Sequence, residues 1–570
     1  MHGGSQRTWL DDALMFLKPS MADIYRGMDT RQQLRPFQRL MRTLAAGPEV
    51  WRGPVLPWLA PAAIAVVTVL ICLPFLLVEV PPLVDLPGHM GAAAIESASP
   101  GSPLSQYWGF RWMFTLNLGG GVLMKLIGAP FGVLAAGWWS TVLATGLFAF
   151  GGLYCARVLN PKGGYAAPFA LMFVYTFPLL TGFLNYILAA GLSLAAFAAA
   201  VQLEDKPRHR ALMLMAVQPV ALLSHAIGGI LLPLLVGSYW LGRLIDERPE
   251  RIDRAALVAM AKRLWIACWP LVAALVTIAI WKIASAGHGA HSVLKWRWDQ
   301  KAWSFVLTLR DQSLALDLAT TAACFALIAL GWLFGARWSW KQGLPALAVG
   351  LLFVIIPSDI DGSAFVDVRL LPVAAMLALG LQDWSRAPGK RARAIALAGA
   401  ALLGVRLVVT AASFADYADD YNRQLAALDH VRPGSRVLAF VQHSCLEESW
   451  RSTRTDHLAS LAGLYRQAWV NDNWAVPGLD MVKPRFRPGR FYVADPSEFV
   501  WSPACSGGRL RTVTTALRHA PIDMVDYVWL IDTGLPHNAD PRLRLVWQDG
   551  RSLLFEVRPL GFSNWRLSQL

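Results

Sequence analysis

The apolar run Ile64-Ala65-Val66-Val67-Thr68-Val69-Leu70-Ile71 lies inside a longer stretch from Pro54 to Val78. Pro81-Pro82-Leu83-Val84-Asp85-Leu86-Pro87-Gly88-His89-Met90 follows it almost at once. A helix needs about 20 apolar residues to cross the hydrocarbon core of a bilayer, and residues 54–78 are long enough. An acid and a histidine therefore stand just past a membrane exit. If the chain turns helical after the prolines, positions four apart share a face, so Asp85 and His89 can point the same way.

Similar runs recur along the chain. Of its 570 residues, 55% are hydrophobic and only 16% charged, and the mean hydropathy is +0.41. A soluble protein carries about 25% charged residues. The fold class read from this is a polytopic α-helical membrane protein. The net charge of +14 could suggest nucleic acid, but most of the excess lies in short loops between apolar runs. The positive-inside rule puts it there, so no nucleic-acid partner is expected. Residues 1–53 carry Arg26, Arg31, Arg35, Arg39, Arg42 and Arg52 and read as a cytoplasmic segment, with Trp9, Leu10, Ala13, Leu14 and Leu17 on one helical face. They lack the short apolar core and small-residue cleavage site of a signal peptide.

Threading the runs against the basic loops gives spans at 54–78, 131–154, 166–180, 184–202, 210–224, 227–243, 264–284, 314–334, 342–357, 370–384 and 395–414. Residues 113–127, interrupted by Gly119-Gly120-Gly121, read as a short half-buried helix. With about eleven spans, every strongly basic short loop falls on one side, and a miscount by one would break that alternation. Residues 54–414 are thus a membrane domain with external loops at 79–112, 285–313 and 358–369. From residue 415 the pattern changes. Arg436–Val441, Tyr527–Ile531, Leu543–Trp547 and Leu553–Val557 read as strands, the last two joined by a turn at Asp549-Gly550, and Arg454–Gln467 as an amphipathic helix with Arg454, Asp456 and His457 on its solvated face. Residues 415–570 are expected to form an α/β domain on the outer, periplasmic side. There Cys445 and Cys505 can form one disulfide.

In this topology Asp85, His89, Asn185, His225, the 285–313 loop and the segment from Asp359 to Arg369 all face outward. No Walker A sequence and no dinucleotide-type glycine fingerprint occurs. An outward site has no ready supply of nucleotide-activated donors, so its substrate must arrive activated in the membrane.

A cytoplasmic N-terminus, a long first external loop opening on an acid, a helix along the membrane, many spans and an external C-terminal domain together resemble the GT-C class of integral-membrane glycosyltransferases. The segment Pro82-Leu83-Val84-Asp85-Leu86-Pro87-Gly88-His89, with Gly182-Phe183-Leu184-Asn185-Tyr186, is similar to bacterial membrane proteins that carry an Asp-Tyr-Pro-Asn-His-like motif there. Many members of the class have two adjacent acids at this spot. Here Asp85 stands alone, with Glu96 next. The resemblance implies an inverting hexosyl- or pentosyltransferase in the bacterial inner membrane. It would move a sugar from a polyprenyl-phosphate donor to an envelope glycan, lipid or protein.

The chemistry of such a transfer sorts the candidates. A base must take the proton of the attacking hydroxyl, and Asp85 fits, with His89 beside it as the second catalytic candidate. A fixed cation must meet the leaving phosphate. Arg369 suits this because a guanidinium binds phosphate through two parallel bonds. Asp367, Asn185 and His225 are the remaining substrate-binding candidates. Asp359 and Asp361 could hold a divalent metal, magnesium or manganese, which is the one cofactor considered. Each residue also has a plainer reading. Asp85 can cap a helix, His89 can bond Asp85 or a carbonyl, and His225 can pack in a turn. Asp359 and Asp361 before a glycine suit a turn, and Arg369 can snorkel. His288 and His291 make a weak metal pair, and Trp296 and Trp298 suit a sugar ring or the membrane interface equally well.

Two other classes stay open, a transporter or flippase and a non-catalytic envelope assembly protein. Transporters show repeated halves and ionisable groups near mid-membrane. Here the candidates gather at one surface and no two-fold repeat is visible.

Overall fold

The computed structural model describes residues 55–250, 253–284, 293–360, 363–446, 448–476, 480–489, 491–505, 510–535 and 540–558. The expected helical face at Trp9 to Leu17, Asp361 and the pair His288 and His291 lie outside the described residues.

Helices dominate as far as residue 425. The ones that matter below are α1 (Pro61–Ile71), α2 (Leu86–Ser97), α3 (Gly119–Leu159), α4 (Leu184–Gln202), α5 (Pro207–Ser224), α6 (Ala226–Asp246), α7 (Leu314–Leu330), α8 (Trp340–Ile355), α9 (Leu370–Gly380) and α10 (Gly389–Leu425). Among the described residues, six helical stretches are long and apolar enough to cross a membrane: Gly119–Leu159, Leu184–Gln202, Ala226–Asp246, Arg254–Ala284, Leu314–Phe334 and Gly389–His430. Four shorter apolar ones, Pro61–Leu77, Ala167–Leu180, Trp340–Ile355 and Leu370–Gly380, fall on expected spans. Their outer faces are apolar. Ile283 is 76% exposed, Leu397 72% and Val408 70%, which suits lipid and not water. The chain is a multi-pass membrane protein.

One boundary differs from the expectation. Gly119-Gly120-Gly121 does not interrupt a helix but begins α3, and the Gly120 amide is taken by the Asn185 side chain of α4. The break comes later, at Gly132, whose φ of 84° no β-carbon tolerates easily and which follows Pro130. The half-buried helix and the span after it are therefore joined at a kink.

α10 runs on past the apolar stretch through Asp416, Tyr417, Asp420 and Tyr421, so one helix carries the chain from the membrane part to a sheet. The strands are β1 (Arg436–His443), β2 (Trp469–Val470), β3 (Phe499–Trp501), β4 (Tyr527–Ile531), β5 (Leu543–Asp549) and β6 (Ser552–Val557). Their order is β2-β1-β4-β6-β5, with β3 also beside β1. β1 is parallel to β2, β3 and β4, and β6 is antiparallel to β4 and β5. β1 meets β4 with Leu438 opposite Val528 and Phe440 opposite Leu530. Both strands are buried on both faces, the usual state of parallel strands. All four expected strands are present, as is the turn at Gly550.

The segment between α2 and α3 completes this sheet domain. Leu104 and Trp108 enter its core, where Trp108 stacks on Trp469 at 6.4 Å, and Trp108–Phe110 pairs antiparallel with Val482–Pro484. Buried ion pairs bind the other side. Arg406 of α10 pairs with Asp317 of α7. Arg454 donates to Asp311 at 2.6 Å and to the Pro82 carbonyl at 3.0 Å, while Ser413 of α10 donates to Asp311 at 2.9 Å. Cys445 and Cys505 form a disulfide with their Cα atoms 5.9 Å apart.

Candidate active site at the junction of helices and sheet

Asp85 is held by backbone before its side chain does anything. The Val84 amide donates to the Leu180 carbonyl at 3.1 Å and the Asp85 amide to the Thr181 carbonyl at 2.8 Å. The turn it docks on contains Gly182, with φ of 90°, where a β-carbon would lie 2.9 Å from the Asp85 nitrogen. Glycine is required there by the close approach and by the positive φ together. Asp85 occupies the N-cap position of α2, yet its side chain accepts no hydrogen bond from the helix. The carboxylate is left for other partners.

One side of Asp85 faces Arg369. The two are close enough to stabilise each other's charge. Arg369 is 7% exposed, and its guanidinium carbon stands over Phe183, 4.0 Å from the ring centre. It donates to Nε2 of His225 at 2.7 Å and to the Ala364 carbonyl at 3.2 Å, and its Nε–H is buried without a partner. A guanidinium only donates. Nε2 of His225 therefore accepts from Arg369, while the Gly228 amide points at Nδ1 of the same ring at 3.4 Å. Tyr186 of α4 donates to the Arg369 carbonyl, and Asn185 beside it receives the Gly120 amide. Arg369 thus lies between Asp85 and His225, while the Asn185 side chain is taken up by Gly120.

On its other side Asp85 meets a residue of the sheet domain. Nε2 of His457 stands 3.9 Å from Oδ1 of Asp85, and Nδ1 of His457 donates to Oδ1 of Asp472 at 2.7 Å. The Ser460 amide fixes the other Asp472 oxygen at 2.6 Å. Asp472 lies two residues past β2, and His443, the last residue of β1, lies 3.6 Å from Asp456. These groups cluster past the carboxyl ends of parallel strands, where open α/β sheets bind ligands. Trp474 covers them, its ring 4.8 Å from that of His457 and 4.9 Å from that of His89.

Burial drives the electrostatics. It raises Asp85 to about 7, although His457 and Arg369 pull the other way. The side chain is still 19% exposed, so it can be reached. Burial would depress His457, but Asp472, helped by Asp495 and Asp85, outweighs it and holds the imidazole up at about 10. His89 is pushed down to about 4 by burial and by His457, and is neutral at pH 7. Burial also raises Asp456, Asp495 and Glu498.

The remaining candidates are placed differently. The His89 ring lies against Trp474, near His457 and the Gly182 backbone. Asp367 is fully buried and occupied: Lys301 pairs with it at 2.7 Å, Ser358 donates at 2.6 Å and the Val368 amide at 2.8 Å. Asp359 pairs with Arg297 at 2.9 Å, and among the described residues it joins no group of three metal-binding side chains. Trp296 donates to the Ile355 carbonyl.

Sequence reasoning misplaced the sheet domain's contribution. Arg454 and His457 do not lie on a solvated helix face. They are 1% and 5% exposed, in an irregular stretch ahead of the short helix Leu461–Arg466. A usable signal existed in Thr453-Arg454-Thr455-Asp456-His457 and Asn471-Asp472-Asn473-Trp474, two dense polar and aromatic clusters beside strands.

No family model and no curated protein matches the chain. Two solved structures align with it over 87% of its length and 97% of theirs. They are ArnT from Cupriavidus metallidurans in the apo state, 12% identical with a TM-score of 0.44, and the same protein bound to undecaprenyl phosphate, 10% identical with a TM-score of 0.43.

Proposed function

We propose that the chain is an inverting glycosyltransferase that takes a sugar from a polyprenyl-phosphate donor and passes it to an envelope acceptor at the periplasmic face of the inner membrane. The N-terminus is cytoplasmic, eleven spans cross the bilayer, and the sheet domain lies outside. The observation that carries the reading is the position of Asp85. Its carboxylate caps no helix and points into a junction between a fixed guanidinium and a buried His–Asp pair.

The parts have distinct tasks. Asp85 takes the proton of the acceptor hydroxyl as the oxygen attacks the anomeric carbon from the face opposite the phosphate. Electrons of the breaking C–O bond go to the phosphate. Arg369 receives it with its free Nε–H and the unused protons of its fork, and His225 and Phe183 hold that fork in place. Preorganised donors of this kind stabilise charge without reorganising at the moment of reaction. Trp474 gives the sugar a face to stack on. In this assignment His89 and Asn185 shape the pocket, and Asp367 supports the loop that presents Arg369.

The test is transfer itself. Full-length protein in membranes, supplied with labelled polyprenyl-phosphate sugars and envelope extract, should move label from the lipid to the acceptor. If well-folded protein moves the lipid between leaflets and leaves the sugar bond intact, the chain is a flippase.

A further inference from the structure

Glu498 stands just before β3 and is fully buried. Neither carboxylate oxygen receives a hydrogen bond. The group it faces, Asp495, is a second carboxyl, which can bond it only by carrying a proton. Arg511, the guanidinium on this side, donates from Nε to the Phe499 carbonyl at 3.1 Å and from Nη2 to the Ser497 carbonyl at 2.8 Å. It makes no ion pair with Glu498. A buried carboxyl without a partner either keeps its proton or binds a cation.

An oxygen of Glu498, an oxygen of Asp472 and a ring nitrogen of His457 lie within 4.8 Å of one another, all on buried side chains. Ligands of a tetrahedral zinc ion stand about 3.4 Å apart. A contraction of up to about 1.4 Å at the widest pair would bring all three into one coordination sphere. The donors are also held. The Ser460 amide fixes Asp472, and the rings of Trp474 and Phe499 enclose His457 at 4.8 and 5.8 Å. The other group with ligand-like spacing, Cys445, Glu448 and Cys505, is not comparable, because its two sulfurs are joined to each other.

We propose that His457, Asp472 and Glu498 bind one divalent transition-metal ion, zinc or manganese, inside the sheet domain. An imidazole with two carboxylates suits these ions, whereas calcium takes six to eight oxygens. The ion replaces the proton that His457 now shares with Asp472, so binding releases that proton. With Nδ1 as the ligand atom, Nε2 stays turned toward Asp85. The site needs neither Asp85 nor Arg369 and stands independently of the transfer reading.

The experiment uses the full-length chain in detergent, freed of any affinity tag and stripped with a chelator. It is then equilibrated with zinc or manganese chloride. Bound metal per chain is measured by mass spectrometry, and thermal unfolding is followed in parallel. One ion per chain and a higher Tm on loading are expected, since a ligand that binds only the folded state stabilises it. Glu498→Gln keeps the shape and removes the charge. It should weaken the affinity at least tenfold, while the stripped variant unfolds no earlier than the stripped wild type. Asp359→Asn should bind as the wild type does. A folded wild type that takes up neither ion, or a Glu498→Gln variant that binds as tightly, overturns the proposal. Should Glu498→Gln not accumulate, Asp472→Asn is read by the same two measurements. Loss of sugar transfer with normal metal uptake would count against the transfer reading alone.

Discussion

Nε2 of His457 lies 3.9 Å from Oδ1 of Asp85, and these two atoms belong to opposite halves of the chain. Asp85 sits on the loop that leaves the first membrane helices. His457 sits on the loop between β1 and β2, and Asp472 orients it from behind at 2.7 Å. Neither half holds the full set. The site exists only where the halves meet.

Asp85→Asn is the sharpest variant. Asparagine has almost the same shape, and no helix-capping bond is lost because the aspartate makes none. The protein should insert, accumulate and bind donor as before. Transfer should fall by about 10²–10⁴-fold, the usual contribution of a general base. The measurement is sugar transfer in membranes normalised to protein level. Near-normal activity would falsify the assignment of Asp85 as the base.

Arg369 is expected to act on the donor. Arg369→Lys keeps one charge but loses the planar fork that rests on Phe183 and bonds His225 and Ala364. A charge-assisted hydrogen bond is worth about 1.5–3 kcal/mol, so donor affinity should drop roughly 10- to 100-fold for lysine and further for alanine. Equilibrium binding of a polyprenyl-phosphate donor checks this, and unchanged binding in Arg369→Ala removes the residue from the phosphate site.

The Cys445–Cys505 bridge ties the loop carrying Arg454 and His457 to the segment after β3. Cys505→Ser should destabilise the sheet domain by about 2–4 kcal/mol, and transfer should decline with it. The bridge also reports sidedness, because disulfides persist in the periplasm and not in a reducing cytoplasm. Alkylation of intact cells before non-reducing peptide mapping should find these two thiols blocked by each other. If both are found free, the sheet domain is on the wrong side for this reading.

Acid stability should depend on Asp526. Arg436 holds its carboxylate with Nε at 3.0 Å, with Nη2 at 2.8 Å and with its backbone amide at 2.8 Å. Burial acts against this, but the bonds from Arg436 prevail and keep Asp526 below its usual value. The unfolded chain then binds this proton first as pH falls. The stabilisation is complete above the unfolded value and is lost as pH drops through the folded one. Asp526→Asn should lower the Tm at neutral pH, and the gap to the wild type should close as the pH falls through the folded value of Asp526. A gap that does not change with pH would show that the ion pair contributes nothing.

Much of this was legible in the residues. Apolar length and loop charge locate the helices, because lipid demands both. Alternation along Arg436–Val441 and Tyr527–Ile531 locates the strands. Asp85, Asn185, His225 and Arg369 could be singled out because each sits at the end of an apolar run. His457, Asp472 and Glu498 could not. Their importance comes from tertiary placement, and helical periodicity from Arg454 to Gln467 suggested exposure where the structure has burial. Nor does any sequence pattern show that Lys301, Ser358 and the Val368 amide gather around Asp367.

Leu104 and Trp108, from the first loop, are part of the sheet domain's own core, and Trp108–Phe110 pairs with Val482–Pro484. The tail is thus not an accessory that could be exchanged between relatives like a cassette. A chimera with a foreign tail would leave Trp108 without Trp469 to stack on, and a tail expressed alone would expose the hole that Trp108 fills. The boundary at which the chain can be cut without harm does not coincide with the end of the membrane helices. Inheritance of the two parts should be joint, with changes at Trp108 answered by changes at Trp469.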